Sequence, residues 1–192
     1  MLRYLLPAVL LVAPTAASAQ TATVQALNAG LLSIMKSGKA AGQKGRAAAI
    51  APVVDRAFDL PLMTRLTVGA QWTTIAPADQ QALVAAFRRL TIAQYASNFD
   101  SFSGETFTVN PQVEQRGGDS LVRTTLKSGS GSESLNYRLR QSGGQWKIID
   151  VFYRSAISQL ATRRADYAGV LKSGGAKALV AHLNALAAKA GG

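Results

Sequence analysis

The spacing of apolar residues changes period along this chain and divides it into helical, strand-rich and again helical stretches. Between Pro77 and Phe99, at about 100° per residue, Leu83, Phe87 and Leu90 share one face. Val84, Ile92, Tyr95 and Phe99 widen that face beyond the stripe of a surface helix, so this helix is expected to be central and contacted on two sides. Pro77 suits its first turn and Asp79 its positive N-terminal end. From Glu105 to Tyr153 the period is two: Leu135, Tyr137 and Leu139 alternate with Asn136, Arg138 and Arg140, giving a strand with one face on the core and one in water. Glycine-rich turns at Arg116-Gly117-Gly118-Asp119, Ser128-Gly129-Ser130-Gly131-Ser132 and Ser142-Gly143-Gly144-Gln145 separate four strands. These span roughly 105–115, 120–128, 133–141 and 145–153 and form an antiparallel meander.

Alanine-rich helices are expected at about 21–37 and 44–57, stopped by Ser37-Gly38 and Gly42, with a short helix from Leu60 to Thr67. Ile157, Leu160, Arg164, Tyr167 and Leu171 lie on one helical face, and Leu179, Val180, Leu183 and Leu186 form a facing stripe after Ser173-Gly174-Gly175. The chain therefore reads as α+β: helices packed on one face of a four-stranded antiparallel sheet, with a C-terminal helical hairpin.

The N-terminus is of another kind. Arg3 precedes an apolar run from Tyr4 to Val12, and Ala17-Ser18-Ala19 has the small-x-small form that a signal peptidase needs. The run falls short of the roughly 20 residues of a bilayer span. Residues 1–19 are thus expected to be a cleaved signal and 20–192 a single domain. With no cysteine, neither a lipid-modified N-terminus nor a disulfide is available. The mature chain is expected to be soluble in an exported compartment, the periplasm, and monomeric. A net charge of +11 favours anionic partners. Export and the scattering of the basic residues turn that reading from nucleic acid toward anionic membrane surfaces, approached transiently.

Groups able to move protons or electrons are few. His182, the only histidine, falls off the apolar face of the last helix and has no metal-ligand spacing around it. Gly129-Ser130-Gly131 begins like a phosphate loop, but Ser134 stands where the third glycine belongs and no helix follows. Asp55 and Asp59 suit surface or capping roles. No catalytic residue, metal or cofactor is expected, and the reading is a binding protein rather than an enzyme, the alternatives being a small enzyme that uses the same pocket and a non-catalytic envelope adaptor.

The order Trp146-Lys147-Ile148-Ile149-Asp150-Val151, Ile157-Ser158-Gln159-Leu160-Ala161, Arg164-Ala165-Asp166-Tyr167 and Gly174-Gly175 resembles the MlaC family, also called toluene-tolerance proteins, and looks most like its hopanoid-associated branch, HpnM. Phe58-Asp59-Leu60, Val68-Gly69-Ala70-Gln71-Trp72, Phe87, Tyr95 and Phe99 extend the likeness over nearly all of the chain beyond its first forty or so residues. The resemblance implies a curved, nuclear-transport-factor-like sheet. It also implies a periplasmic carrier of phospholipid or hopanoid-like lipid, the substrate-binding component of an ABC-type system. Its partners would be an inner-membrane ABC transporter complex and an outer-membrane complex. Relatives usually place a glycine between the last strand and the Ile-Ser step, where this chain reads Arg154-Ser155-Ala156.

Such a carrier needs an apolar cavity with a mouth. Its candidate lining is Phe58, Leu62, Met63, Leu66, Phe87, Leu90, Tyr95, Tyr137, Leu139, Ile148 and Leu160. Strand alternation puts Trp146, Ile148, Asp150 and Phe152 on one face. Arg164, between Leu160 and Tyr167, needs a partner there, because an unpaired guanidinium in apolar surroundings is costly. It is expected either to pair with Asp150 or Asp59, or to hold a lipid phosphate at the cavity mouth.

Overall fold

The computed structural model describes residues 16–191. Most of the expected signal segment, 1–15, lies outside the described residues. Four helices come first, α1 (Ala16–Ser37), α2 (Gly42–Ala57), α3 (Leu60–Val68) and α4 (Pro77–Asn98). A meander follows, β1 (Thr106–Arg116), β2 (Asp119–Ser128), β3 (Gly131–Ser142) and β4 (Gln145–Tyr153), and then β5 (Ile157–Ser158) and α5 (Gln159–Ala190). The sheet is antiparallel throughout, in the order β1-β2-β3-β4-β5. It has five strands rather than the four expected, because Ile157 and Ser158 add a short edge to Phe152 and Tyr153 instead of opening the helix.

The α+β architecture holds, with the helices on the concave face. Helix α1 lies across β1, β2 and β4, and its early side chains reach the sheet: Gln20 Nε2 donates to Ser120 Oγ at 3.3 Å and Thr23 Oγ1 to the Trp146 carbonyl at 3.0 Å. Helix α4 is central, as its wide apolar arc demands, and packs on α2, α3 and α5. Arg46, buried in α2, locks two helix ends together. Its guanidinium donates to the Ala96 carbonyl near the end of α4 (2.8 Å), to Gly38 after α1 (2.8 Å) and to Gln43 Oε1 (3.1 Å). Helix C-termini are partially negative, so this cation is satisfied without a carboxylate.

Helix α5 is two arms. Gly175 has φ 64° and ψ −158°, outside helical values. Tyr167 and His182 would lie about 22 Å apart along a straight helix, yet their ring centroids are 6.4 Å apart, so the arms fold back on each other as a hairpin. His182 is thereby half-buried edge-on against Tyr167 rather than fully solvated.

The register of β3 with β4 overturns one expectation. Arg138 pairs with Asp150 but Leu139 with Ile148, so Ile149 is an extra residue in β4. This bulge shifts the alternation by one. Ile148 and Val151 now share the concave face with Leu139 and Tyr137, while Asp150 turns away. The Asp150 carboxylate, buried at the β4–α5 corner, accepts from Ser158 Oγ (2.6 Å), from the Leu160 amide in the first turn of α5 (3.0 Å) and from its own neighbour Val151 (2.8 Å). It does not pair with Arg164. That side chain is exposed, its guanidinium lying over Gly69, where a Cβ would stand 3.0 Å from Nη2. The missing side chain at Gly69 lets the cation lie flat and reach water. Asp59 caps α3 by accepting from the Leu62 amide (3.0 Å), and Asp55 takes a bidentate pair from Arg88 (both 2.7 Å) that holds its carboxyl below the usual range.

The β4–β5 turn, which holds no glycine in this chain, places Arg154 and Ser155 in the left-handed region, with φ 50° and 64°. The turn is clamped to β3 by the Arg154 amide on the Ser134 carbonyl (2.9 Å) and Ser155 Oγ on Ser134 Oγ (2.8 Å).

Three stability measurements check this account. Asp150→Ala strands the first-turn amide and the Ser158 hydroxyl, and is expected to cost about 2–3 kcal/mol in urea unfolding. Arg164→Ala, which removes no ion pair, is expected to change stability by no more than about 0.5 kcal/mol. Ser155→Gly relieves a left-handed non-glycine residue and is expected to raise stability by up to about 1 kcal/mol, less what its bond to Ser134 contributes.

Candidate functional site

A cavity of about 660 Å³ opens between α4 and the concave sheet, closed on one side by the first turns of α5 and on another by Phe58 and Met63. It exists because α4 rests on other helices rather than on the strands, leaving a gap between its inner face and the sheet. The α4 wall is Phe87, Thr91, Gln94, Tyr95, Asn98 and Phe99. Opposite stand Leu126, Glu133, Leu135, Tyr137, Val151 and Tyr153. From α5 come Gln159, Leu160, Thr162, Arg163 and Asp166. The volume is within the roughly 300–1,000 Å³ of ligand sites, and the lining is mainly apolar and aromatic.

An aromatic chain runs along one side. Ring centroids of Phe58 and Tyr95 are 5.7 Å apart, of Tyr95 and Phe99 5.9 Å, and of Phe99 and Phe107 6.4 Å. Tyr137 is buried, with its hydroxyl 3.5 Å from Asn28 Oδ1 of α1. Burial pushes the Tyr95 and Tyr137 phenols well above their ordinary range, so both stay neutral at physiological pH. Neither can act as a base there. No group of three or more His, Cys, Asp or Glu among the described residues is placed to hold a metal ion.

The sequence-based candidates divide. Phe58, Met63, Phe87, Tyr95, Tyr137 and Leu160 line the cavity. Leu90, Leu139 and Ile148 are fully buried core behind it, while Leu62 and Leu66 are half-buried outside it. Leu135 was available from strand alternation, two residues before Tyr137. Val151 was not, because only the bulge at Ile149 turns it inward.

The cation in the wall is Arg163 rather than Arg164. Its Nη2 donates to Gln94 Oε1 at 2.6 Å and its Nη1 to Thr91 Oγ1 at 3.4 Å. The guanidinium carbon lies 4.8 Å from the centre of the buried Phe87 ring. Of the two carboxylates in the lining, Glu133 is held by Arg154 at 3.1 Å, and Asp166 lies one turn along α5.

This arrangement can enclose an elongated apolar molecule while leaving one end near a cation and water. The fold is similar to that of a solved phospholipid-binding protein from Ralstonia solanacearum in complex with a phospholipid, with a TM-score of 0.78 and 22% sequence identity over 90% of this chain and 98% of the other. The family model described as MlaC protein matches residues 25–185, which takes in every cavity-lining residue, and this chain belongs to that family.

Proposed function

We propose that this protein is a soluble periplasmic lipid carrier. It would take up phospholipid or a hopanoid-like lipid from one membrane complex and deliver it to another, as the substrate-binding component of an ABC-type transport system. The observation that carries this reading is the open apolar cavity between α4 and the concave sheet. Membership of a family of periplasmic proteins and the lipid bound by the Ralstonia solanacearum protein support the ligand class and the compartment. The finer placement in the hopanoid-associated branch rests on the order of residues from Trp146 to Gly175. Binding rather than catalysis is favoured because the cavity's phenols are held neutral and Glu133 is tied to Arg154.

The physics of transfer fits such a cavity. Each acyl methylene kept from water is worth about 0.8 kcal/mol, so two long chains cannot cross an aqueous space uncovered. A lipid leaving a bilayer gains no new burial, because its chains were already dry. Exchange is therefore close to neutral, needs no catalytic group, and is directed by the complexes at either end.

Docking is supported by the other face of the sheet. The register puts Arg116, Arg123, Lys127, Arg138 and Arg140 on the convex side, opposite the helices, while Lys147 reaches round the edge to the Asp55 carbonyl of α2 (3.2 Å). Only Glu114 and Asp119 stand among them, with Asp150 turned into the corner. Asp119, almost wholly buried, is gripped by Arg140 and Arg138, and those hydrogen bonds hold its carboxyl below the usual range. The remaining excess is a transient attractor for anionic bilayer surfaces.

Two experiments follow. Native mass spectrometry of the protein from its own envelope is expected to show one bound lipid, and Leu135→Trp, which fills the cavity from β3, is expected to cut that occupancy at least about tenfold while the protein remains folded. An empty wild-type protein, or a variant that loads normally, would remove the cavity from the mechanism. In vesicle co-sedimentation, binding to anionic vesicles is expected to fall steeply as salt rises, because the attraction is screened over about 8 Å at physiological ionic strength. Equal, salt-insensitive binding to neutral vesicles would sink the docking role.

A further inference from the structure

We infer that Arg163, held by Gln94 and Thr91 over the Phe87 ring, is a binding site for the phosphate diester of an acyl lipid, and that it sets a preference for phosphate-bearing lipids over neutral ones. The inference rests on the carrier reading and goes further, to a named residue and a ligand class.

Four arginines on the helices differ in electrostatic condition. Arg88 is neutralised by Asp55. Arg46 is buried but donates to three oxygens, two of them carbonyls at the negative ends of helices. Arg164 is exposed to water. Arg163 alone of these is half-buried in the cavity wall with neutral partners only, one firm hydrogen bond to an amide oxygen and one long contact to a hydroxyl. Among the described residues it forms no ion pair, with Glu133 and Asp166 included. A guanidinium has five donors, so three N–H groups are left for a ligand.

Packing fixes the direction. The Phe87 ring lies beneath the guanidinium plane, and Gln94 and Thr91 hold two of its nitrogens against α4. The group therefore cannot swing away to solvent as Arg164 does. An anion entering the cavity meets an oriented fork, the geometry in which arginine grips phosphate oxygens. Partial desolvation strengthens that contact relative to one in water. The chains of the same molecule can then lie against Leu135, Val151 and the Phe58–Tyr95–Phe99 rings.

The test uses the full mature chain, stripped of lipid, and vesicles that contain a phosphodiester lipid and a diacylglycerol of identical acyl chains in equal amounts. Because both lipids share one vesicle, surface docking is the same for each. Wild type is expected to load the phosphodiester lipid over diacylglycerol by about tenfold or more, the value of one charge-assisted hydrogen bond. Arg163→Gln is expected to bring that ratio close to one by lowering loading of the phosphodiester lipid. Arg163→Lys should retain part of the preference, and Gln94→Leu, which frees the guanidinium, should lose part of it. A wild-type ratio near one, or the same ratio in wild type and Arg163→Gln, overturns the inference while leaving the carrier reading intact. Loading of neither lipid overturns both. Calorimetry with inorganic phosphate alone separates the other source of the anion: Arg163-dependent phosphate binding without a lipid preference would make this a free-anion site and overturn the assignment to lipid. If Arg163→Gln fails to fold, the wild-type ratio and Gln94→Leu still decide.

Discussion

A single extra residue in β4 organises much of this molecule. Without the bulge at Ile149, strict alternation would keep Asp150 on the concave face with Ile148 and turn Val151 outward, placing a carboxylate beside Tyr137 in the apolar wall. With it, Val151 faces the cavity, and Asp150 reaches the corner where the chain leaves the sheet. There its carboxylate binds the Ser158 hydroxyl and the Leu160 amide, while Ser158 Oγ accepts from Ala161. The start of α5 is thus doubly capped and fixed to β4, at the partially positive helix end where an anion is favoured. Leu160 and Arg163 lie within the next turn, so the position of the cavity's third wall follows from one register shift.

The cavity itself reflects a balance among helix contacts. An apolar gap inside a protein forfeits packing, and interiors normally close such gaps. Here α4 is kept from closing onto the sheet by three neighbours. Helix α2 holds it through Arg46 and the Asp55–Arg88 pair, α3 supports it, and α5 packs along it with the Tyr167–His182 hairpin behind. The supporting groups are polar and directional at the ends and apolar between them. That division fixes the spacing of α4 and leaves its inner face for a ligand.

How much of this was legible in the sequence follows from what sets each feature. Period and turn chemistry are local, so the helices, the four long strands and the break at Gly175 could be read from Leu83-Phe87-Leu90, Leu135-Tyr137-Leu139 and the glycine turns. The family resemblance rests on the same local motifs and pointed to the lipid-carrier fold. The bulge could not be read, because Trp146-Lys147-Ile148-Ile149-Asp150-Val151 alternates equally well with or without it, and the choice is made by pairing with β3. The capture of Ile157-Ser158 by the edge of β4 is non-local for the same reason. Arg164 was singled out because it stands in the middle of the apolar stripe. It escapes burial only because Gly69, distant in sequence, leaves space for its head. Arg163, at the flank of that stripe, meets α4 instead, and no pattern within α5 alone shows that Gln94 and Phe87 wait there.

A carrier also has to let go, which limits what its polar contacts can be. A fully buried ion pair with the ligand would be strong but costly to break, since it strands a charge in a low-dielectric site. A half-exposed guanidinium backed by an amide and an aromatic ring avoids both extremes. When the lipid leaves, Arg163 keeps its bond to Gln94, its contact with Phe87 and partial hydration, so the empty state is tolerable. When a lipid is present, a contact of about 1.5–3 kcal/mol is enough to orient a headgroup, yet small beside the burial of two acyl chains. The chains set retention and the arginine sets orientation, and because donor and acceptor membranes bury the same chains, neither term prevents transfer onward.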